Sequence, residues 1–395
     1  MPRRHDIDAL RALAFALLIL YHLCMLYVSD WGWHIKSSYQ AEWLQWPMLF
    51  VNRWRMDLIF MISGMAAAFA MKPTRIGSFI RARSHRLLLP LTFGILVVVP
   101  LQPYVQGVSN GVVEPGFINF LGQYFTGRQW PVNAFAGWQH GYTWNHLWYL
   151  AYLWVYTLAL ALLAKPLQSR AGLWLRTRLT GLRGPALMVL PALPLLAYTL
   201  ALQTRFPDEG DFIHDWYRNA VYFTVFLYGY LIARDSGFWA ELVRLRWTSL
   251  IAALALATAY LGLVATLADD LPYWQQVLVW TLRNLYAWSA LLAILGWTSA
   301  HLNRPFRWLG WANEAVYPWY MLHQSLIVLI AYWLVSLKLG PVVEPLIVLA
   351  GTIAGCWILF AVIRRVRWLR PLFGLKAIVP TGVRQVDRPS AAAYS

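Results

Sequence analysis

Leu10-Arg11-Ala12-Leu13-Ala14-Phe15-Ala16-Leu17-Leu18-Ile19-Leu20-Tyr21-His22-Leu23-Cys24-Met25-Leu26-Tyr27-Val28 is an apolar run long enough to cross a bilayer, interrupted by one guanidinium and one imidazole. Arg11 and His22 are eleven residues apart, about three helical turns. They therefore share one helix face, roughly 16 Å apart along the axis. Ionisable groups at that depth are costly in hydrocarbon and are expected to face the interior of a bundle or a polar cavity. This stretch predicts a membrane-spanning helix with one face lining an internal cavity, read as an active site reached from both sides of a membrane.

Composition supports the membrane assignment. The chain has 395 residues, 59% hydrophobic and only 13% charged, with a mean hydropathy of +0.49. Soluble domains carry about a quarter charged residues. The net charge of +16 does not point to nucleic acid, because the basic residues lie in short segments between apolar runs rather than in a stripe on a soluble domain. Cys24 and Cys356 both lie inside apolar runs and offer neither a metal spacing nor a disulfide framework. Arg3 and Arg4 precede the first run as in a secretory signal, but the run is too long and no small-residue cleavage site follows. It is read as a retained first span.

Apolar runs recur near 9–28, 56–71, 87–106, 146–164, 185–203, 217–233, 248–267, 277–299, 316–336 and 343–363. Pro191 and Pro194 predict a kink in the fifth. Alternate connections, with the two termini, hold 25 of the 33 Lys and Arg; the opposite connections hold six, together with acidic groups such as Asp208, Glu209, Asp211, Asp269 and Asp270. The positive-inside rule then places both termini in the cytoplasm. The expected fold is all-α: a polytopic membrane helix bundle of about ten spans. Residues 1–376 form one transmembrane domain, and 377–395 a cytoplasmic, disordered tail. The outer loops 29–55 and 107–145 are rich in Trp, either as an interfacial belt or as a platform for sugar rings.

Several polar groups in these spans could carry chemistry. His22 lies beyond the midplane, toward the outside, where a neutral imidazole could take a proton from an attacking hydroxyl; the bland alternative is a hydrogen-bonded structural histidine. Arg83 and Arg86 share a helix face where a basic loop enters the third span, and could grip phosphate oxygens bidentately or simply anchor the topology. Arg53-Trp54-Arg55-Met56-Asp57 opens the second span from outside; Asp57 pairs with a neighbouring Arg, orients an imidazole or binds an acceptor. The fourth span begins Asn145-His146-Leu147-Trp148-Tyr149, and the ninth contains Tyr320-Met321-Leu322-His323, with His323 about a third of the way up from the cytoplasm. For each of these, packing and function are both open. Arg283 and Asn284 are expected to face the bundle interior.

Together these residues resemble the acyltransferase 3 family of membrane acyltransferases. The likeness lies in Asp8-Ala9-Leu10-Arg11-Ala12 with His22, in Arg83-Ser84-His85-Arg86, in Phe60-Met61-Ile62-Ser63-Gly64, in Leu147-Trp148-Tyr149-Leu150 and in Tyr320-Met321-Leu322-His323-Gln324. Within the family the chain is most similar to the glucan biosynthesis protein C branch, with Arg55-Met56 before the Ser-Gly span and Asp57 as a departure. The resemblance implies a bacterial inner-membrane enzyme. It would move an acetyl or succinyl group from cytoplasmic acyl-coenzyme A to a hydroxyl of an extracytoplasmic glycan such as a periplasmic glucan. It implies His22 as the catalytic base and Arg11, Arg83 and Arg86 as donor-binding, with no metal. Arg55, Asp57, His146, Trp148, Tyr149, Tyr320 and His323 are the candidates for the substrate side. The rival reading is a transporter or flippase of an acyl donor or lipid-linked sugar; it predicts repeated halves, and none is visible.

Overall fold

A computed structural model describes residues 3–206, 211–267 and 271–377. The tail from 378 on and the acidic Asp208, Glu209, Asp269 and Asp270 lie outside the described residues. In chain order the helices are α1 (His5–Cys24), α2 (Gln45–Ala70), α3 (Ile76–Phe93), α4 (Leu101–Ser109), α5 (Phe117–Tyr124), α6 (Trp148–Leu163), α7 (Arg170–Thr180) and α8 (Gly184–Val189). There follow α9 (Ala192–Leu202), α10 (Trp216–Ile232), α11 (Ser236–Arg244), α12 (Arg246–Thr266), α13 (Tyr273–His301), α14 (Leu309–Leu334), α15 (Val343–Arg365) and α16 (Leu369–Leu372). No strand occurs among the described residues, only an isolated bridge between Val28 and Ala41. The architecture is a polytopic helical bundle.

Eight helical segments among the described residues are long and apolar enough to cross a membrane. The other two expected positions are also helical and form α2 and α10. Arg53, Arg55 and Asp57 lower the hydropathy of α2, and α10 has only 17 residues. These two helices pack almost backbone to backbone. A Cβ on Gly64 would sit 1.8 Å from the Phe226 carbonyl oxygen, and one on Gly229 would sit 2.0 Å from that of Met61. Small residues permit this approach, and the gain is van der Waals contact along both backbones.

Helix boundaries differ from the sequence expectation where polar residues face protein rather than lipid. The second helix begins at Gln45 instead of near 56, so Asp57 is buried mid-helix and not at the helix start. The ninth begins at Leu309 instead of near 316, so His323 is the fifteenth of 26 residues and not a third of the way along. The third begins at Ile76 and includes Arg81, Arg83 and Arg86. In the fifth position the chain breaks at Pro191, between α8 and α9, as the prolines require.

The path from α3 to α4 carries a π-helical turn, Gly94–Val98. Pro103 has no N–H for the Val99 carbonyl, which instead takes the Gln102 N–H at 2.9 Å in a tighter turn. That shift leaves the Val98 carbonyl open, and Ser325 Oγ on α14 donates to it at 2.8 Å. A proline on one helix thus tethers the helix that carries His323. Replacing Gly64 with Ala should force α2 from α10 and destabilise the protein by about 1–3 kcal/mol, seen as a lower unfolding midpoint in detergent. An unchanged midpoint would contradict the close crossing.

Candidate active site

Arg11, Phe15, Leu18 and His22 recur at the i, i+4, i+7, i+11 spacing that keeps side chains on one face of α1. All four line internal space. A cavity of about 750 Å³ opens between α1, α2, α3, α6 and α14. Arg11, Lys72, Arg75, Arg83 and Arg86 line it, and no carboxylate does among the described residues. A second cavity of about 50 Å³ lies beside His22, with Arg55, His146, Trp148, Tyr149 and Tyr320 around it. The two abut across Phe15, Ile59, Tyr149 and Tyr320, which line both. A third cavity, of about 730 Å³, carries Tyr142, Trp144, Tyr152, Gln139, His140 and Asp211 and meets the His22 cavity at Trp148.

α1 and α14 run side by side in the same direction. Arg11 Nη2 donates to Asn313 Oδ1 at 2.5 Å, and eleven residues later His22 Nδ1 lies 2.8 Å from His323 Nε2. The imidazole planes differ by 5°. Their tautomers follow from the surrounding acceptors. His323 Nδ1 faces the carbonyl oxygens of Trp319 at 3.1 Å and Tyr320 at 2.8 Å, so it must carry the proton. With both rings neutral, His323 Nε2 is a bare acceptor and His22 Nδ1 donates to it. His22 Nε2 is left with an open lone pair. Trp33 stacks on His22 with ring centroids 5.4 Å apart.

A second layer of amides holds this pair. Asn145 Nδ2 and Gln324 Nε2 both donate to Gln102 Oε1, at 2.8 and 3.0 Å, and Gln102 Nε2 donates to Ser325 Oγ at 2.7 Å. Gln324 also reaches His34 Nε2 at 3.0 Å, while His34 Nδ1 donates to Gln106 Oε1 at 2.7 Å. Burial in this loop pushes the His34 imidazole down to about 4. His146 Nε2 donates to the Met321 carbonyl at 3.1 Å.

The remaining sequence candidates divide by cavity. Arg83 and Arg86 face the large basic cavity with Arg11. Tyr149 and Tyr320 stand between that cavity and His22, but their hydroxyls are engaged. Tyr149 shares a 2.5 Å hydrogen bond with Ser63 Oγ, and Tyr320 donates to the His146 carbonyl at 2.5 Å. Asp57 is not brought to His22. It lines a separate cavity of about 360 Å³ with Arg53, Arg218, Arg283, Asn284 and Tyr222.

A family profile described as an acyltransferase domain matches residues 4–361. The chain belongs to the acyltransferase 3 family. Among curated proteins it is similar to glucans biosynthesis protein C of Salmonella paratyphi B, 25% identical over 159 residues, which cover 40% of this chain and 38% of that relative. The protein of the same name from Salmonella gallinarum is 27% identical over the same shares. The chain therefore matches little more than a third of the length of these relatives. No solved structure matches.

For a membrane acyltransferase of this family, several residues of the arrangement escaped sequence reading. Gln102 and Gln324 are amides in apolar runs and could have been flagged on that ground; Asn313 lies in the connection before the ninth run. His34 lies in a polar loop and gave no such signal, and Trp33 reads only as one of the Trp residues of the outer loops. Because the folded imidazole of His34 protonates near 4 and an unfolded one near 6.5, the unfolded chain takes up the proton first. The contribution of neutral His34 is complete above about pH 6.5 and declines as pH falls toward 4. Unfolding midpoints in detergent from pH 7 to 4 should fall less for His34→Gln than for wild type; parallel curves would contradict this.

Proposed function

We propose that this membrane acyltransferase moves a short acyl group, acetyl or succinyl, from acyl-coenzyme A to a hydroxyl of an extracytoplasmic glycan, with His22 as general base. The observation that carries the reading is the single stripe Arg11-Phe15-Leu18-His22, which runs from a basic cavity to an imidazole with an open lone pair. Five cations without a lining carboxylate suit the phosphates of coenzyme A. The flexible pantetheine arm would lead the thioester past Tyr149 and Tyr320 to His22. The aromatic and polar groups of the 730 Å³ cavity suit a sugar, whose hydroxyl would approach from the Trp148 side. The name of the relatives favours a glucan-like acceptor.

The basic cavity then faces the cytoplasm and the aromatic one the periplasm, in keeping with the charge asymmetry of the connections and with a bacterial inner membrane. The donor need not cross the bilayer. His22 Nε2 removes the acceptor hydroxyl proton as its oxygen attacks the thioester carbonyl. His323 orients the ring and, through the Nδ1–Nε2 bond, supports the charge that forms on it.

His22→Ala should lower transfer by about 10²–10⁴-fold while coenzyme A affinity stays near wild type. Normal transfer by that variant would eliminate His22 as the base. The pair Arg83→Ala and Arg86→Ala should weaken coenzyme A binding by tenfold or more, since charge-assisted bonds contribute about 1.5–3 kcal/mol each, and should flatten its salt dependence. Titration calorimetry at two salt concentrations measures both; an unchanged affinity would reduce the pair to topology anchors.

A further inference from the structure

Arg55 is an unusual occupant of the small cavity beside His22. It is 8% exposed, inside a helix bundle, and no carboxylate pairs with it among the described residues. Its guanidinium carbon lies 3.4 Å from the centroid of the Tyr21 ring, one residue from His22 on α1. Nε and Nη1 have no hydrogen-bond partner. A buried cation with unmet donors is costly, and the cost is removed when an anion appears beside it. The other charged or hydroxyl donors around this cavity are occupied. The Tyr149 hydroxyl is held by Ser63, the Tyr320 hydroxyl by the His146 carbonyl, and His146 Nε2 by the Met321 carbonyl. The cavity therefore presents one bare base nitrogen and a buried guanidinium with unpartnered donors at Nε and Nη1.

We propose that Arg55 is the oxyanion-stabilising residue of the transfer reaction, a reading that rests on the acyl-transfer function proposed above. As the acceptor oxygen bonds to the thioester carbon and its proton passes to His22 Nε2, the carbonyl π pair moves onto oxygen. An unpartnered N–H of Arg55, at Nε or at Nη1, donates to that oxygen. The pair then returns, the C–S bond breaks, and the coenzyme A thiolate leaves and takes the proton from His22. A fixed guanidinium in a dry site stabilises this charge without reorganising. The stacking on Tyr21 holds the guanidinium in place.

The test uses full-length protein in detergent, with acetyl- and succinyl-coenzyme A as donors and a glucan oligosaccharide as acceptor, and follows thiol release in single turnovers. Arg55→Met should slow transfer about 10²–10³-fold with both donors, with donor Kd within threefold of wild type. Arg55→Lys, which keeps the cation but not the planar guanidinium, should fall between. Equal rates for wild type and Arg55→Met overturn the proposal. So does a loss confined to succinyl-coenzyme A, which would make Arg55 a reader of the distal carboxylate. A loss that merely tracks Kd overturns it too. If Arg55→Met loses coenzyme A binding through misfolding, Arg55→Lys decides: a drop of tenfold or more supports the role, and an unchanged rate refutes it. An inert wild type would instead sink the acyl-transfer reading, and this proposal with it.

Discussion

The hydrogen bond between His22 and His323 is the contact on which the candidate site turns. It fixes which imidazole nitrogen is protonated, and so which is left to act. Its direction is set by two backbone carbonyls of α14, which hold the proton on the far side of His323. Those carbonyls belong to a helix tied to the neighbouring one through Ser325 and the Val98 carbonyl. The chemistry of one side chain thus depends on a helix irregularity created by a proline elsewhere in the sequence.

Inside a membrane, polar groups are stabilised only by one another or by enclosed water. The structure applies that rule unevenly. Gln102, Asn145, Gln324 and Ser325 satisfy each other closely, as a structural network should. Around the cavities the opposite holds: Arg11 Nε and Arg55 Nε and Nη1 lack partners. Other buried groups, such as Trp319 Nε1 and Arg246 Nε, lack partners too; the unmet donors that line a cavity are the ones whose bonding a ligand can complete.

Much of this was legible in the sequence because periodicity and charge survive without coordinates. The Arg11–His22 stripe required only the helical repeat. Arg83 and Arg86 share the basic cavity as their three-residue spacing suggested. What was not legible depended on tertiary pairing. Hydropathy placed the start of α2 eleven residues late, because a helix that buries Arg55 and half-buries Asn52 and Arg53 does not look like a lipid-facing one. His323 was assigned a depth from its distance to the end of an apolar run, and the extra turns at 309–315 moved it level with His22. Asp57 shares a helix with Arg55 but points into another cavity, since residues two apart on a helix do not face the same way.

The partnership of α1 with α14 also bears on how such a chain comes into being. The two imidazoles are 301 positions apart, and the amide that receives the Arg11 guanidinium is 302 away from it. Synthesis delivers α1 to the bilayer long before α14 exists. For that interval the newborn first helix carries a cation and an imidazole without the α14 groups that receive them. Its early neighbour is α2, which packs against it in the finished bundle as well; the contacts to α14 come only with the last segments. A chain cut before α14 therefore leaves both groups without the partners that the full bundle supplies.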